Sequence, residues 1–199
     1  MNSFQTTFQK TSQHEGGYSN HADDRGGETY KGIARKFWPK WEGWKVIDIY
    51  KTKYAGKELN QELDKNIGVQ GFVRQFYFEN YWLPLQCEAF DQPVADELFD
   101  TAVNQGKLKA GSYLQKALNK LNRNQKDYPD VMEDGKIGHK TIQAYKAYMT
   151  TERFASRNKE KLISWLIKWL NYYQLKTYDQ ITYKDPAQEV FIPGWTERS

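Results

Sequence analysis

Residues 15–33 read Glu15-Gly16-Gly17-Tyr18-Ser19-Asn20-His21-Ala22-Asp23-Asp24-Arg25-Gly26-Gly27-Glu28-Thr29-Tyr30-Lys31-Gly32-Ile33. Gly16, Gly17, Gly26, Gly27 and Gly32 are interspersed here with Asn20, Asp23, Asp24 and Thr29. Glycine ends helices, and Asn and Asp close turns through their own backbone. The stretch therefore predicts a small irregular hairpin, with short strands near Tyr18 and at Thr29–Lys31. Loops held on a rigid scaffold tend to carry function, so the chemistry is sought here first.

Around this insert the pattern is helical. Phe4 and Phe8 stand one turn apart in a short helix within Asn2–His14. After Pro39, Trp44, Ile47, Tyr50 and Tyr54 recur at three- and four-residue steps, then Val69, Phe72, Val73, Phe76 and Tyr77 up to Pro84. Pro93 opens a helix through Val94, Leu98, Phe99 and Ala102 to Gly106, and Tyr113–Leu121 forms the next. A polar loop spans Asn122–Gly138. Helices follow over Thr141–Met149 and Lys159–Gln174, and the apolar tail Phe191–Trp195 is expected to dock back on the body. The fold class predicted is mainly α, with one small irregular β insert after the first helix.

Composition narrows the function classes. The 199 residues hold 7 Trp, 14 Tyr and 10 Phe, which is incompatible with disorder from end to end. The lone cysteine, Cys87, excludes an intrachain disulfide and a cysteine-based zinc knot, and reads as a small buried apolar group. No window approaches the roughly 20 apolar residues of a membrane span, so stable membrane insertion is not expected. Met1–Lys10 is polar, without the apolar core of a secretory signal. The net charge is +4. Residues 111–199 carry 15 Lys+Arg against 10 Asp+Glu, while residues 1–110 carry 14 against 15. The basic half fits an anionic partner or a solvated lysine surface. Nucleic acid is not expected, since no run of five like charges, RNP-type aromatic signature or finger spacing occurs.

Glu15 sits where a helix gives way to glycines, and Asp24 follows nine residues later in a turn. A carboxyl held half out of water keeps its proton closer to neutrality than the ordinary value of about 4.3, while a solvated one stays ionised. Such a pair suits the acid and the charge-stabilising roles of glycoside hydrolysis. Thr29 can hydrogen-bond a water or a sugar hydroxyl. The same residues also read as a helix end and an Asx-turn. Other motifs fail on spacing: His14-Glu15 lacks a histidine at position 18, and Asp130–Thr141 lacks the ligands of a calcium loop. His14, His21 and His139 are scattered. No metal or organic cofactor is expected. Trp165 and Trp169 read as core, as do at least two of Trp38, Trp41 and Trp44, the three best placed to stack on a sugar.

The segment resembles the motif of glycoside hydrolase family 108, bacterial and phage N-acetylmuramidases, on Glu15, Gly16, Gly17, Tyr18, Asn20, Asp24, Gly26, Gly27, Thr29, Gly32 and Ile33. It departs on the turn at His21 and at Ala22 or Arg25. The Glu–Asp–Thr order is also similar to phage lysozymes. Further on, Phe99–Gly106, Leu114–Asn119, Asp134–Thr141 and Gly194-Trp195 with Arg198 resemble the predicted peptidoglycan-binding segment that follows in that family. The resemblance implies a lysozyme-like helical fold, with a catalytic region over 1–92 and a peptidoglycan-binding region over 93–199 packed with it as one fold, lining one side of the substrate groove.

Catalytic roles then fall to Glu15, as general acid, with Asp24 and Thr29. Substrate contacts fall to Tyr18, Asn20 and Asn104. The implied substrate is the glycan strand of peptidoglycan, cut at the β-1,4 bond from N-acetylmuramic acid to N-acetylglucosamine. A non-catalytic wall-binding secretion accessory and a lytic transglycosylase stay open as alternatives. The expected route is cytoplasmic synthesis and action in the periplasm or cell wall, after release by a holin or another export system.

Overall fold

The computed structural model describes residues 3–12, 16–20, 27–151 and 158–197. The chain falls into two compact units, Phe4–Asn80, and Tyr81–Ser199 together with Met1–Ser3. Helix dominates both, as the periodicity predicts, and the first unit also carries a three-stranded antiparallel sheet.

In the first unit, α1 (Phe4–Ser12) buries Thr7 and Thr11, while Phe4 and Phe8 lie half-buried against Phe78 and Tyr77, at ring-centroid distances of 5.1 and 5.5 Å. The strands are β1 (Tyr18–Ser19), β2 (Thr29–Tyr30) and β3 (Ile33–Ala34), in that order across the sheet. The β2–β3 turn is Lys31-Gly32, both at positive φ (44° and 74°). That is the two-residue primed turn whose twist matches the strands, and glycine fits its second position without strain. The Lys31 carbonyl accepts a hydrogen bond from Tyr77 Oη at 2.8 Å, which ties the turn to the helices. Then come α2 (Gly43–Lys51), α3 (Gly56–Lys65) and α4 (Ile67–Tyr77), followed by a wider helical turn over Phe78–Trp82. Asn66 joins α3 to α4: its side chain caps α4 at Val69 N (2.9 Å) and donates to Tyr50 Oη (2.8 Å). Tyr30, Ile33, Trp44, Ile47, Leu63 and Val69 form the core.

In the second unit, α5 (Gln92–Gln105) and α6 (Lys107–Leu121) meet at Gly106, and α8 (Lys159–Lys184) packs on both. Between them, α7 (His139–Thr150) follows the polar loop, which Asn122 organises by donating to Tyr128 O and Asp130 Oδ1. Leu98, Phe99, Leu114, Leu118, Leu166 and Tyr148 fill the core. Cys87 is buried, which pushes its thiol pKa up. The tail forms a short 3-10 turn and α9 (Ile192–Glu197), and Trp195 stacks on Tyr178 of α8 at 4.7 Å.

Three expectations need correction, and one helix was not foreseen. Helix α3 escaped the periodicity because Leu59 and Leu63 are its only apolar side chains. Helix α8 runs on past Gln174 to Lys184, because Gln174, Tyr178 and Thr182 continue the buried every-fourth position with polar or mixed groups. Of the three early tryptophans, only Trp44 is core; Trp41 is half-buried and Trp38 is 41% exposed. Trp165 and Trp169 are half-buried, because α8 turns its leucines inward and these rings outward. Among the described residues no helix is long and apolar enough to cross a membrane.

Candidate functional site

The hairpin is built so that Ser19 on β1 faces Thr29 on β2, and Thr29 faces Ala34 on β3. Residues directly opposite on paired strands share a face. Thr29 thus stands between two small side chains, on the face opposite the buried Tyr30 and Ile33. Tyr18 pairs with Tyr30 on that other face. The Ser19–Thr29 pairing brings together both ends of the connection that contains Asp24. Glu15 and Asp24 themselves lie outside the described residues, as do His14, His21 and Arg198.

An ion network that the sequence reading missed anchors the hairpin. The Glu28 carboxylate, 14% exposed, accepts from Tyr18 Oη (2.9 Å), Arg35 (2.9 Å) and Lys51 Nζ (2.6 Å). Arg35 also makes a bidentate pair with Asp48, both contacts at 2.7 Å, and its guanidinium lies over the Trp44 ring. Lys51 sits over the Tyr18 ring at 5.4 Å. Burial works to raise the Glu28 pKa, but the hydrogen bonds from Lys51, Arg35 and Tyr18 outweigh it and hold the carboxyl below its ordinary range. The Arg35 contact likewise holds Asp48 down. Burial and the Glu28 charge raise the Tyr18 phenol. Asn60 of α3 accepts from Tyr18 N at 2.5 Å, fixing β1 from the other side. The only trace in the sequence is that Glu28 touches Thr29 in the chain; its partners arrive from β1, from α2 and from beyond β3.

The remaining sequence-derived residues are placed as follows. Asn20 follows β1 and is exposed. Asn104 lies on α5 in the second unit, exposed, and donates to Asp100 O (3.0 Å) and Oδ2 (2.8 Å). His139 opens α7. The first unit also holds an open cleft of about 560 Å3, lined by Phe37, Trp38, Trp41, Gln75, Glu79 and Asn80 among others. Phe37 and Trp38 are exposed in it, and Trp38 rests edge-on against Phe76 at 4.9 Å. Exposed rings beside a few polar groups make up a lining suited to sugars. Among the described residues no three His, Cys, Asp or Glu side chains converge as a metal site requires.

In the second unit, Gln115 of α6 pins the Asp134–Thr141 turn. Its amide accepts from Gly135 N (2.7 Å) and donates to Asp134 Oδ1 (2.9 Å), Lys136 O (3.1 Å) and Thr141 Oγ1 (3.3 Å).

Residues 8–106 match the family model described as Glycosyl hydrolase 108, and residues 109–199 match the model described as Predicted Peptidoglycan domain. The structure of SagA from Brucella abortus is similar, with a TM-score of 0.54 at 23% identity, over 98% of this chain and 88% of that one. At that identity the likeness speaks for the fold, which is mainly α and lysozyme-like. No curated protein matches. The two models together span almost the whole chain, which belongs to the glycosyl hydrolase 108 family and is a glycoside hydrolase of peptidoglycan.

Proposed function

We propose that the enzyme is an N-acetylmuramidase, which hydrolyses the β-1,4 bond from N-acetylmuramic acid to N-acetylglucosamine, with Glu15 as general acid. Glu15 protonates the leaving glycosidic oxygen as positive charge develops on the sugar. Asp24 stabilises that charge or positions the attacking water, and Thr29 hydrogen-bonds the water or a sugar hydroxyl. Water supplies the new hydroxyl of the reducing muramic-acid end. Tyr18 steadies β1 from the face opposite Thr29, and Asn20, exposed just past the strand, contacts the sugar. Phe37 and Trp38 offer their faces to a neighbouring sugar of the strand.

The observation that carries this reading is the Ser19–Thr29 register. It closes the Asp24-bearing connection on itself, beside the strand that begins three residues after Glu15. The Glu28 network holds that base rigid, as an acid catalyst placed to within fractions of an ångström needs. The substrate lies outside the inner membrane, so the enzyme works there after release through a holin or another export system.

The test is digestion of purified peptidoglycan by the wild type and by Glu15→Gln, with products identified by mass spectrometry. Reducing muramic-acid ends, and a loss of at least about 10²-fold in rate for the variant, are expected. Anhydro ends would reassign the enzyme to the lytic transglycosylases. No products from either protein, with sacculus binding retained, would make it a wall-binding accessory.

A further inference from the structure

On α8 the buried positions Leu162, Leu166, Leu170, Gln174 and Tyr178 recur every fourth residue. Trp169, Tyr172 and Lys176 recur on the other side of the helix, with Trp169 and Tyr173 half-buried and Tyr172 48% exposed. These rings form a connected ladder. Trp169 meets Tyr172 edge-on at 5.6 Å and leans on Tyr173 at 6.0 Å, and Tyr172 meets Tyr173 at 5.2 Å. Tyr173 in turn stacks on Tyr113 of α6 at 5.9 Å. Tyr113 is buried, and its hydroxyl hydrogen-bonds both Gln105 (2.8 Å) and Thr177 (2.5 Å). The outer rings are therefore fixed to the core of the unit. Two ammonium groups lie over them: Lys116 over Tyr173 at 5.8 Å and Lys176 over Tyr172 at 6.0 Å.

We propose that this ladder is a peptidoglycan-binding surface on which an intact glycan strand lies with its stem peptides. The inference rests on peptidoglycan being the enzyme's substrate. Fixed, partly exposed rings give flat platforms for the C–H faces of pyranose rings at little entropic cost. The flanking lysines meet the carboxylates of muramic-acid stem peptides, in the half of the chain that carries 15 Lys+Arg against 10 Asp+Glu. A membrane surface is the competing occupant, because Trp, Tyr and Lys also line lipid interfaces. The match of residues 109–199 to the family model described as Predicted Peptidoglycan domain favours the strand.

The test compares the full chain with its Trp169→Ala, Tyr172→Ala and Lys176→Glu variants. It measures sedimentation with purified sacculi over a salt series, turnover of sacculi against turnover of a short soluble glycan fragment, and binding to anionic lipid vesicles. Sacculus affinity lowered about tenfold by each aromatic variant is expected. A matching fall in the sacculus-to-fragment turnover ratio and a shallower salt dependence for Lys176→Glu are expected with it. Tyr172 and Lys176 are exposed, so these two variants decide the matter if Trp169→Ala loses thermal stability. Unchanged sacculus affinity in them would overturn the proposal, as would loss of vesicle binding with sacculus binding intact. If the wild type cut neither substrate while the variants still lost sacculus affinity, the surface would stand and the muramidase reading would fall.

Discussion

Glu28 and Arg35 are joined twice, by a backbone hydrogen bond from Arg35 N to Glu28 O (2.8 Å) and by a side-chain ion pair at 2.9 Å. The first extends the β2–β3 ladder, and the second locks the hairpin base to α2 through Asp48 and Lys51. Glu28→Gln should lower stability by about 1–2 kcal/mol, the worth of charge-assisted hydrogen bonds in a partly buried place. Because the folded Glu28 pKa lies below its ordinary value, its contribution is present above about pH 4.5 and is lost as pH falls through the folded pKa. Denaturant melts across pH 3–7 should show a steeper acid loss in the wild type than in Glu28→Gln. Parallel curves would refute this role.

Trp38 supplies an exposed ring to the cleft, while its backbone carbonyl takes the Trp44 indole hydrogen bond at 2.8 Å. Trp38→Ala removes the ring and keeps that bond. KM for peptidoglycan fragments should rise about five- to tenfold with kcat little changed, as for lost uniform binding. Steady-state kinetics checks this, and a fall in kcat alone would contradict it.

Gln115→Leu keeps the volume of a buried side chain but leaves Gly135 N and Thr141 Oγ1 without their amide partner. A cost of about 2–3 kcal/mol follows. The Gln115 hydrogen bond is the first cause of the low Asp134 pKa, so that carboxyl should titrate nearer its ordinary value in the variant. NMR titration reads this directly, and an unmoved Asp134 would show that the turn holds without α6.

Gly111 of α6 lies against the Gly135 backbone, and a Cβ added there would come within 2.1 Å of Gly135 O. Backbone cannot swing aside as a long side chain can. Gly111→Ala should therefore cost about 1–3 kcal/mol through overpacking. A wild-type Tm in this variant would show that the turn can lift off α6.

Glu97 on α5 is pushed up to about 7, by burial first and then by the charge of Asp100, with a hydrogen bond from Thr101 pulling the other way and the Asp96 charge adding a little. A raised carboxyl favours the folded state below its unfolded pKa, and this advantage is lost as pH rises through about 7. Glu97→Gln should raise Tm at pH 8, by about 2–4 °C if 1 kcal/mol is recovered, and do little at pH 4. Calorimetry at the two pH values decides it; an equal effect at both would contradict the titration.

Helix positions were legible wherever apolar residues recurred in numbers, as over Val69–Tyr77 and Val94–Ala102. They were illegible at α3, where two leucines carry the packing, and at the end of α8, where Gln174 and Thr182 sit inward. The hairpin was legible from its glycines and Asx residues, although β3 was not, since Ile33-Ala34 lies beyond the last of them. Within the candidate site, Thr29 could be named from the motif. Its setting between Ser19 and Ala34 depends on register, which the pairing of three strands sets.

The sequence by itself determined the helical class, the place of the β insert and the family motif, because these follow from local periodicity, turn chemistry and residue order along the chain. Only the tertiary structure decided which charges meet Glu28, which tryptophans face outward and which rings connect across α6 and α8. Those outcomes depend on side chains from distant segments converging, at separations of 13 residues for Arg35 and Asp48 and 64 for Tyr113 and Thr177. No local pattern records where two such segments will meet, since packing and electrostatics choose the partner only after the chain has folded.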